Sequence, residues 1–226
     1  MRKHLALFAL AALASLTHAG AWAATYVYTG ATYSSLVHNF TAPCGASPCQ
    51  IFTAGMRQTG SITTNQPLAP NLNDADVSPL IASYAFNDGV TQYTSANLSD
   101  GLLYALVTTD AAGNITDSHI AITHWQTANH LVGGRMGLVL VNPGGFSNSS
   151  FNELCTTVSN AGICTGTAED TSTSYAVAPA QSGAWAPIAP ASVQAVPVDN
   201  PVALLLTAAG LLGLALRSRR TLRLAA

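Results

Sequence analysis

The feature that most limits what this chain can become lies at its C-terminal end. An uncharged run from Val202 to Leu216 is followed by Arg217, Arg219, Arg220 and Arg223. As a helix the 15 residues of the run rise about 22 Å, short of a hydrocarbon core of about 30 Å. Counted from Val198 the segment has 19 residues, with Asp199 and Asn200 at the interface, and snorkelling arginines with local bilayer thinning make up the difference. Pro197 and Pro201 precede the run, where a missing amide donor costs a helix little. A soluble helix needs a polar face, and positions 202–216 offer only Thr207. Residues 202–216 are therefore expected to cross a membrane. Four arginines on one side predict a cytoplasmic C-terminus, so the body upstream is expected to fold outside the cytoplasm.

The other end agrees with that topology. Met1-Arg2-Lys3-His4 is a basic start, Leu5 to Leu16 is apolar and too short to span, and Ala21-Trp22-Ala23 has the small-residue pattern of a cleavage site. Residues 1–23 are thus expected to be a signal peptide, with Ala24 opening the mature chain. Between Ala24 and Pro190 only Arg57 and Arg135 stand against nine carboxylates, a net charge near −7. Nucleic acid and anionic membrane surfaces are poor partners for such a body, because phosphate binding needs clustered Lys or Arg.

Four cysteines lie in the body. Cys44 and Cys49 are five apart and Cys155 and Cys164 nine apart. In an oxidising compartment an even count predicts two disulfides, and four cysteines allow three pairings. The local pairs are the expected ones, since each brackets turn residues: Gly45 and Pro48 in one, Asn160 and Gly162 in the other. A metal site is the rival reading, but neither spacing is the two-residue knuckle of a zinc ribbon.

The body itself carries strand signals. Thr25 to Thr29 and Leu80 to Phe86 alternate in polarity. Asn87-Asp88-Gly89 predicts a tight turn into Val90 to Thr94, because Gly89 tolerates positive φ. Leu102 to Thr109 reads as a strand, Asp110-Ala-Ala-Gly-Asn114 as its turn, and Ile115 to Trp125 as its return. Arg135 to Val141 follows, and Asn142-Pro-Gly-Gly145 breaks it. Helix is scarce: only Ser149 to Ser159 could hold a short one, unless the loop between Cys155 and Cys164 claims it. The expected fold is all-β, a single β-sandwich or jelly-roll-like domain over residues 24–185. An Ala/Pro-rich linker over 186–196 and the tail 197–226 come after it.

Chemistry is sparse. His119, His124 and His130 cluster near Trp125, but on one strand 119 and 124 have opposite parity and point to opposite faces, so sheet-surface histidines are expected and no metal site. Asn71, Asn73, Asp74 and Asp76 form an oxygen-rich loop lacking the turn Gly and terminal Glu of an EF-hand, so a solvated turn is the simpler reading. No Gly-x-Ser-x-Gly occurs; Gly145-Phe-Ser147-Asn-Ser149 reads as a polar loop, and Asp110 and Asp117 read as hairpin ends rather than a carboxylate pair. No catalytic residue and no cofactor is predicted. Tyr26 and Tyr28 share a strand face and, with Trp125 or Trp185, have the makings of a sugar platform, although core packing explains such aromatics more simply.

The tail, Val196-Pro197-Val198-Asp199-Asn200-Pro201 followed by the apolar run and the arginine cluster, resembles the C-terminal sorting signals of the PEP-CTERM type. It departs from the name-giving triplet and is closer to the variant tails of the IPTL-CTERM kind. The resemblance implies a Gram-negative exported protein handled by a signal peptidase and an exosortase-type membrane transpeptidase, held in the inner membrane transiently and then passed to the cell surface or matrix. Tyr26-Val-Tyr-Thr-Gly30, Thr59-Gly-Ser-Ile-Thr63, Leu68-Ala-Pro-Asn-Leu72, Tyr84-Ala-Phe-Asn-Asp-Gly89 and Thr109-Asp-Ala-Ala-Gly-Asn-Ile115 resemble phrases of the short exported domains that precede such tails. The expected role is structural or interactive, associated with exopolysaccharide or biofilm. A carbohydrate-binding module is the alternative, and an envelope hydrolase a distant one.

Overall fold

The computed structural model of the chain describes residues 23–45, 48–143 and 148–188. The expected leader up to Trp22, the sorting motif Val196–Pro201, the apolar run 202–216 and the arginines from Arg217 to Arg223 lie outside the described residues, as do Gly145 and Ser147.

The described chain is all-β, and every strand pairing in it is antiparallel. In chain order the strands are β1 (Ala24–Thr32), β2 (Leu36–His38), β3 (Arg57–Thr64), β4 (Ala75–Asp76), β5 (Ile81–Asn87), β6 (Gln92–Thr94) and β7 (Asp100–Thr109). They continue with β8 (Ile115–Trp125), β9 (Arg135–Val141), β10 (Ser149–Val158), β11 (Cys164–Ala168), β12 (Ser174–Val177) and β13 (Ala184–Ile188). A smaller sheet has the order β13-β1-β3-β5-β6, and a larger one runs β2-β12-β10-β9-β8-β7-β4 with β11 paired to β10. Among the described residues the helical content is one 3₁₀ turn, Ser78–Leu80.

Period-two alternation gives each sheet one apolar face. In the smaller sheet a row crosses all five strands in register: Trp185, Tyr28, Gly60, Phe86 and Tyr93. Tyr26, Ile62 and Tyr84 form the next row. These side chains share one buried cluster with Ala105, Val107, Ile115, Ile120, Ile122, Val139 and Val141 of the larger sheet. Each such side chain taken from water contributes about 1.5–3 kcal/mol. Gly60 is part of the fit, because a Cβ there would stand 2.2 Å from Phe86 Cδ1. Trp185 packs on Tyr28 at 5.1 Å between ring centroids, and its Nε1 donates to Ser118 Oγ of β8 at 2.9 Å. That anchor holds the closing strand against β1, so residues 186–188 of the expected linker are paired with β1.

Ser149–Val158, the one stretch whose sequence could hold a short helix, is a ten-residue strand. It pairs with β9 on one side and with β12 and β11 on the other. Ladder bonds on both edges and the β-branched Thr156, Thr157 and Val158 outweigh the local preference of Glu153 and Leu154 for a helix. The hairpin after Thr109 matches expectation. Asp110 Oδ1 accepts from the Ala112 and Asn114 amides, and the Asn114 side-chain amide on Oδ2 holds the carboxyl below its usual range.

The turn after β5 departs from expectation in one respect. Gly89 takes φ +97° as a tight turn requires, but Asp88 is fully buried. Its Oδ1 accepts from the Val90 and Thr91 amides and its Oδ2 from Tyr93 Oη at 2.8 Å. Burial pushes this carboxyl's pKa up against those bonds. Tyr33 Oη, 2.9 Å from the Asp88 carbonyl and 2.8 Å from Ser150 Oγ, ties the turn to the larger sheet.

Candidate ligand-binding face

Both disulfides join the expected local pairs. Cys155–Cys164 is buried with Trp125 and Met136 in a small apolar cluster. Cys44–Cys49 closes an irregular loop whose two ends are held together where Asn39 exchanges hydrogen bonds with the Phe52 backbone.

The residues singled out from sequence go to different places. Tyr26 and Tyr28 are 4% and 0% exposed, so they are core, the simpler of their two readings, and form no sugar platform. Trp125 is buried under the β10–β11 hairpin, donating to the Gly162 carbonyl at 2.8 Å, and His130 stacks on it at 5.3 Å. His124 turns to the inner face and meets the fully buried carboxylate of Asp100, Nδ1 to Oδ1 at 2.5 Å. His119 lies on the outer face. Among the described residues no three His, Cys, Asp or Glu groups come together in a metal-ligating cluster. The loop from Asn71 to Asp76 is a turn stitched to β7. Asn71 and Asp74 have φ of 56° and 47°, the Asp74 amide donates to Thr108 Oγ1, and Asp76 Oδ1 accepts from the Ser78 amide. That bond and the Ser78 side chain lower the Asp76 pKa.

A different set of side chains forms a face. In the larger sheet the register aligns His38, Tyr175, Phe151 and Leu138 on four neighbouring strands, β2, β12, β10 and β9. Their parity is opposite to that of the core residues Ala176, Ser150 and Val139, so the row lies on the sheet's outer face. His38 stacks on Tyr175 with centroids 4.9 Å apart and planes 22° apart. Tyr175 and Phe151 follow at 6.0 Å and 35°. His38 is exposed, and Tyr175 and Phe151 are half-buried.

The adjacent row, Leu36, Val177, Ser149, Leu140, Ala121 and Tyr104, runs parallel to it. Leu36 is 48% and Tyr104 41% exposed. Between the small side chains of this row lies an open cleft of about 540 Å³, lined by Tyr104, His119, Leu140, Asn142, Ser149 and Val177. The face therefore carries rings in a line, His38 and Tyr175 face to face with each other, with imidazole, amide and hydroxyl groups beside them.

Such a face can hold an extended amphipathic chain, with apolar parts of the ligand against the rings' free edges and polar groups reaching the flanking side chains. The row could not be read from sequence, since residues 38, 151 and 175 meet only through the strand order β2-β12-β10.

A scan of protein-family models, a search of curated proteins and a search of solved structures each return no match to this chain.

Proposed function

We propose that this chain is an exported surface or matrix protein, a disulfide-containing β-sandwich that binds an extended polysaccharide across the outer face of its larger sheet. The observation that carries the reading is the stacked row His38, Tyr175 and Phe151 on neighbouring strands, continued by Leu138 and flanked by the Tyr104 cleft. The body's net charge near −7 favours a neutral glycan over an acidic one, since like charges repel.

Export is supported by the two disulfides, which persist in oxidising compartments. Removal of residues 1–23 and of the tail from Pro197 would leave every described strand intact. In this reading a signal peptidase acts at the N-terminal end and an exosortase-type transpeptidase on the Val196–Pro201 tail.

The test is affinity electrophoresis of the purified protein through gels containing neutral or acidic polysaccharides, including the exopolysaccharide of the source organism. Retardation by a neutral glycan, relieved by Phe151→Ala, is expected. Equal mobility in every gel would overturn the proposal.

A further inference from the structure

The inner face of the larger sheet changes character toward the end where β8 leaves it. Ile122 and Val139 belong to the apolar core, but the next row in register is His124, Gly137, Asn152 and Ser174. Beyond it the Gln126 amide donates to the Arg135 carbonyl, bringing those two residues side by side. Above this polar floor stand Tyr93 from β6 and Gln50, the residue after the Cys44–Cys49 loop. Tyr93 Oη would be 2.8 Å from a Cβ on Gly137, and Gln126 Nε2 3.5 Å from it. Gln50 donates through its side-chain amide to Thr91 Oγ1 and accepts from Ser174 Oγ on its backbone carbonyl, and the carbonyl of Pro48, inside the loop, accepts from Asn152 Nδ2.

Six polar atoms of this neighbourhood are fully buried and find no hydrogen-bond partner among the described residues: both side-chain heteroatoms of Gln126, Asn152 Oδ1, Gln50 Oε1, and Arg135 Nε and Nη1. Left so, each costs about 1–3 kcal/mol. Turning the Gln126 amide over does not help, since both of its ends lack partners, and turning Asn152 would set its oxygen against the Pro48 carbonyl. Arg135 spends only Nη2, on the Asp170 carboxylate at 2.8 and 3.2 Å.

The set mixes donors with acceptors. A bare cation would satisfy only the oxygens and an anion only the nitrogens, whereas water satisfies both. We propose that this end of the space between the sheets is a closed hydrated chamber, with Gln126, Asn152 and Arg135 on its floor and Gln50 in its roof, binding internal water. At about three hydrogen bonds per buried water, six atoms call for about two molecules.

The test is magnetic relaxation dispersion of water nuclei on the protein purified from its own cells, paired with a crystal structure fine enough to place waters. Long-lived waters are expected, with oxygens bonded to Gln126 and to Arg135 Nε. Gln126→Leu should lower the dispersion amplitude by about one water in two while far-ultraviolet circular dichroism stays unchanged. Should that variant fail to fold, the crystal structure of the unaltered protein decides alone. Direct bonds among Arg135, Gln126 and Asn152 with no enclosed water, or an ion in that place, would overturn the proposal.

Discussion

The two faces of the larger sheet use the same alternation for opposite ends. On the inner face Ile120, Ile122, Val139 and Val141 meet the aromatic rows of the smaller sheet and vanish from solvent. On the outer face, one residue out of phase, Tyr104, Phe151, Tyr175 and His38 keep their rings partly exposed. Period two tells which residues share a face but not which face is covered. The lesson is that an aromatic in this chain is to be judged by what lies opposite it. Tyr28 and Tyr175 are both strand tyrosines, but the first is roofed by the second sheet and the second is not.

The largest effect expected from breaking this contrast is on the inner face. Phe86→Ala should cost about 3–5 kcal/mol, because Phe86 is 1% exposed and packs against Trp185 and the cleft left by Gly60. Urea denaturation measures it. Next come the disulfides. Replacing Cys155 and Cys164 by Ala should cost about 3 kcal/mol from loop entropy, with a further loss from the buried Trp125–Met136 cluster they fill. Replacing Cys44 and Cys49 by Ser should cost less, about 2 kcal/mol for the shorter loop, since that pair is outside the apolar clusters.

A smaller, pH-dependent effect separates two carboxylates. The folded Asp88 pKa is raised by burial. Its stabilising contribution is therefore complete below the unfolded carboxylate pKa and is lost as pH rises through the folded value. Asp88→Asn does not titrate, so denaturation midpoints should shift in the variant's favour between pH 4 and pH 8, whatever the fixed cost of the altered Tyr93 bond. Asp170 has the opposite sign. Burial works against its charge, but the Arg135 guanidinium and the Ser172 amide outweigh it and lower the pKa. Its contribution is present above the unfolded value and is lost as pH falls through the folded one, so Asp170→Asn should lose most of its deficit in acid.

Much of the strand pattern is legible in the sequence. Ile115–Trp125 and Arg135–Val141 have the expected bounds, because alternation and the flanking Asn114 and Asn142 turns agree there. Ser149–Val158 is open between helix and loop in the sequence because this strand is made by its neighbours rather than by its own residues. The burial of Asp88 is hidden for a related reason: Asp-Gly signals a turn whether the turn meets water or a second sheet. The candidate face is least legible of all, since its rings come from three distant segments, and the aromatics that the sequence singles out, Tyr26, Tyr28, Trp125 and Trp185, pack into the interior.

Sorting, export and glycan binding are joined in one account, but the open aromatic row is its centre. The direct measurement is calorimetric titration of Tyr175→Ala with a polysaccharide that the unaltered protein binds, alongside its urea midpoint. The account predicts at least a tenfold weaker affinity, about 1.4 kcal/mol, with stability lowered by no more than about 1 kcal/mol. Unchanged affinity, or a loss only in step with unfolding, would contradict it.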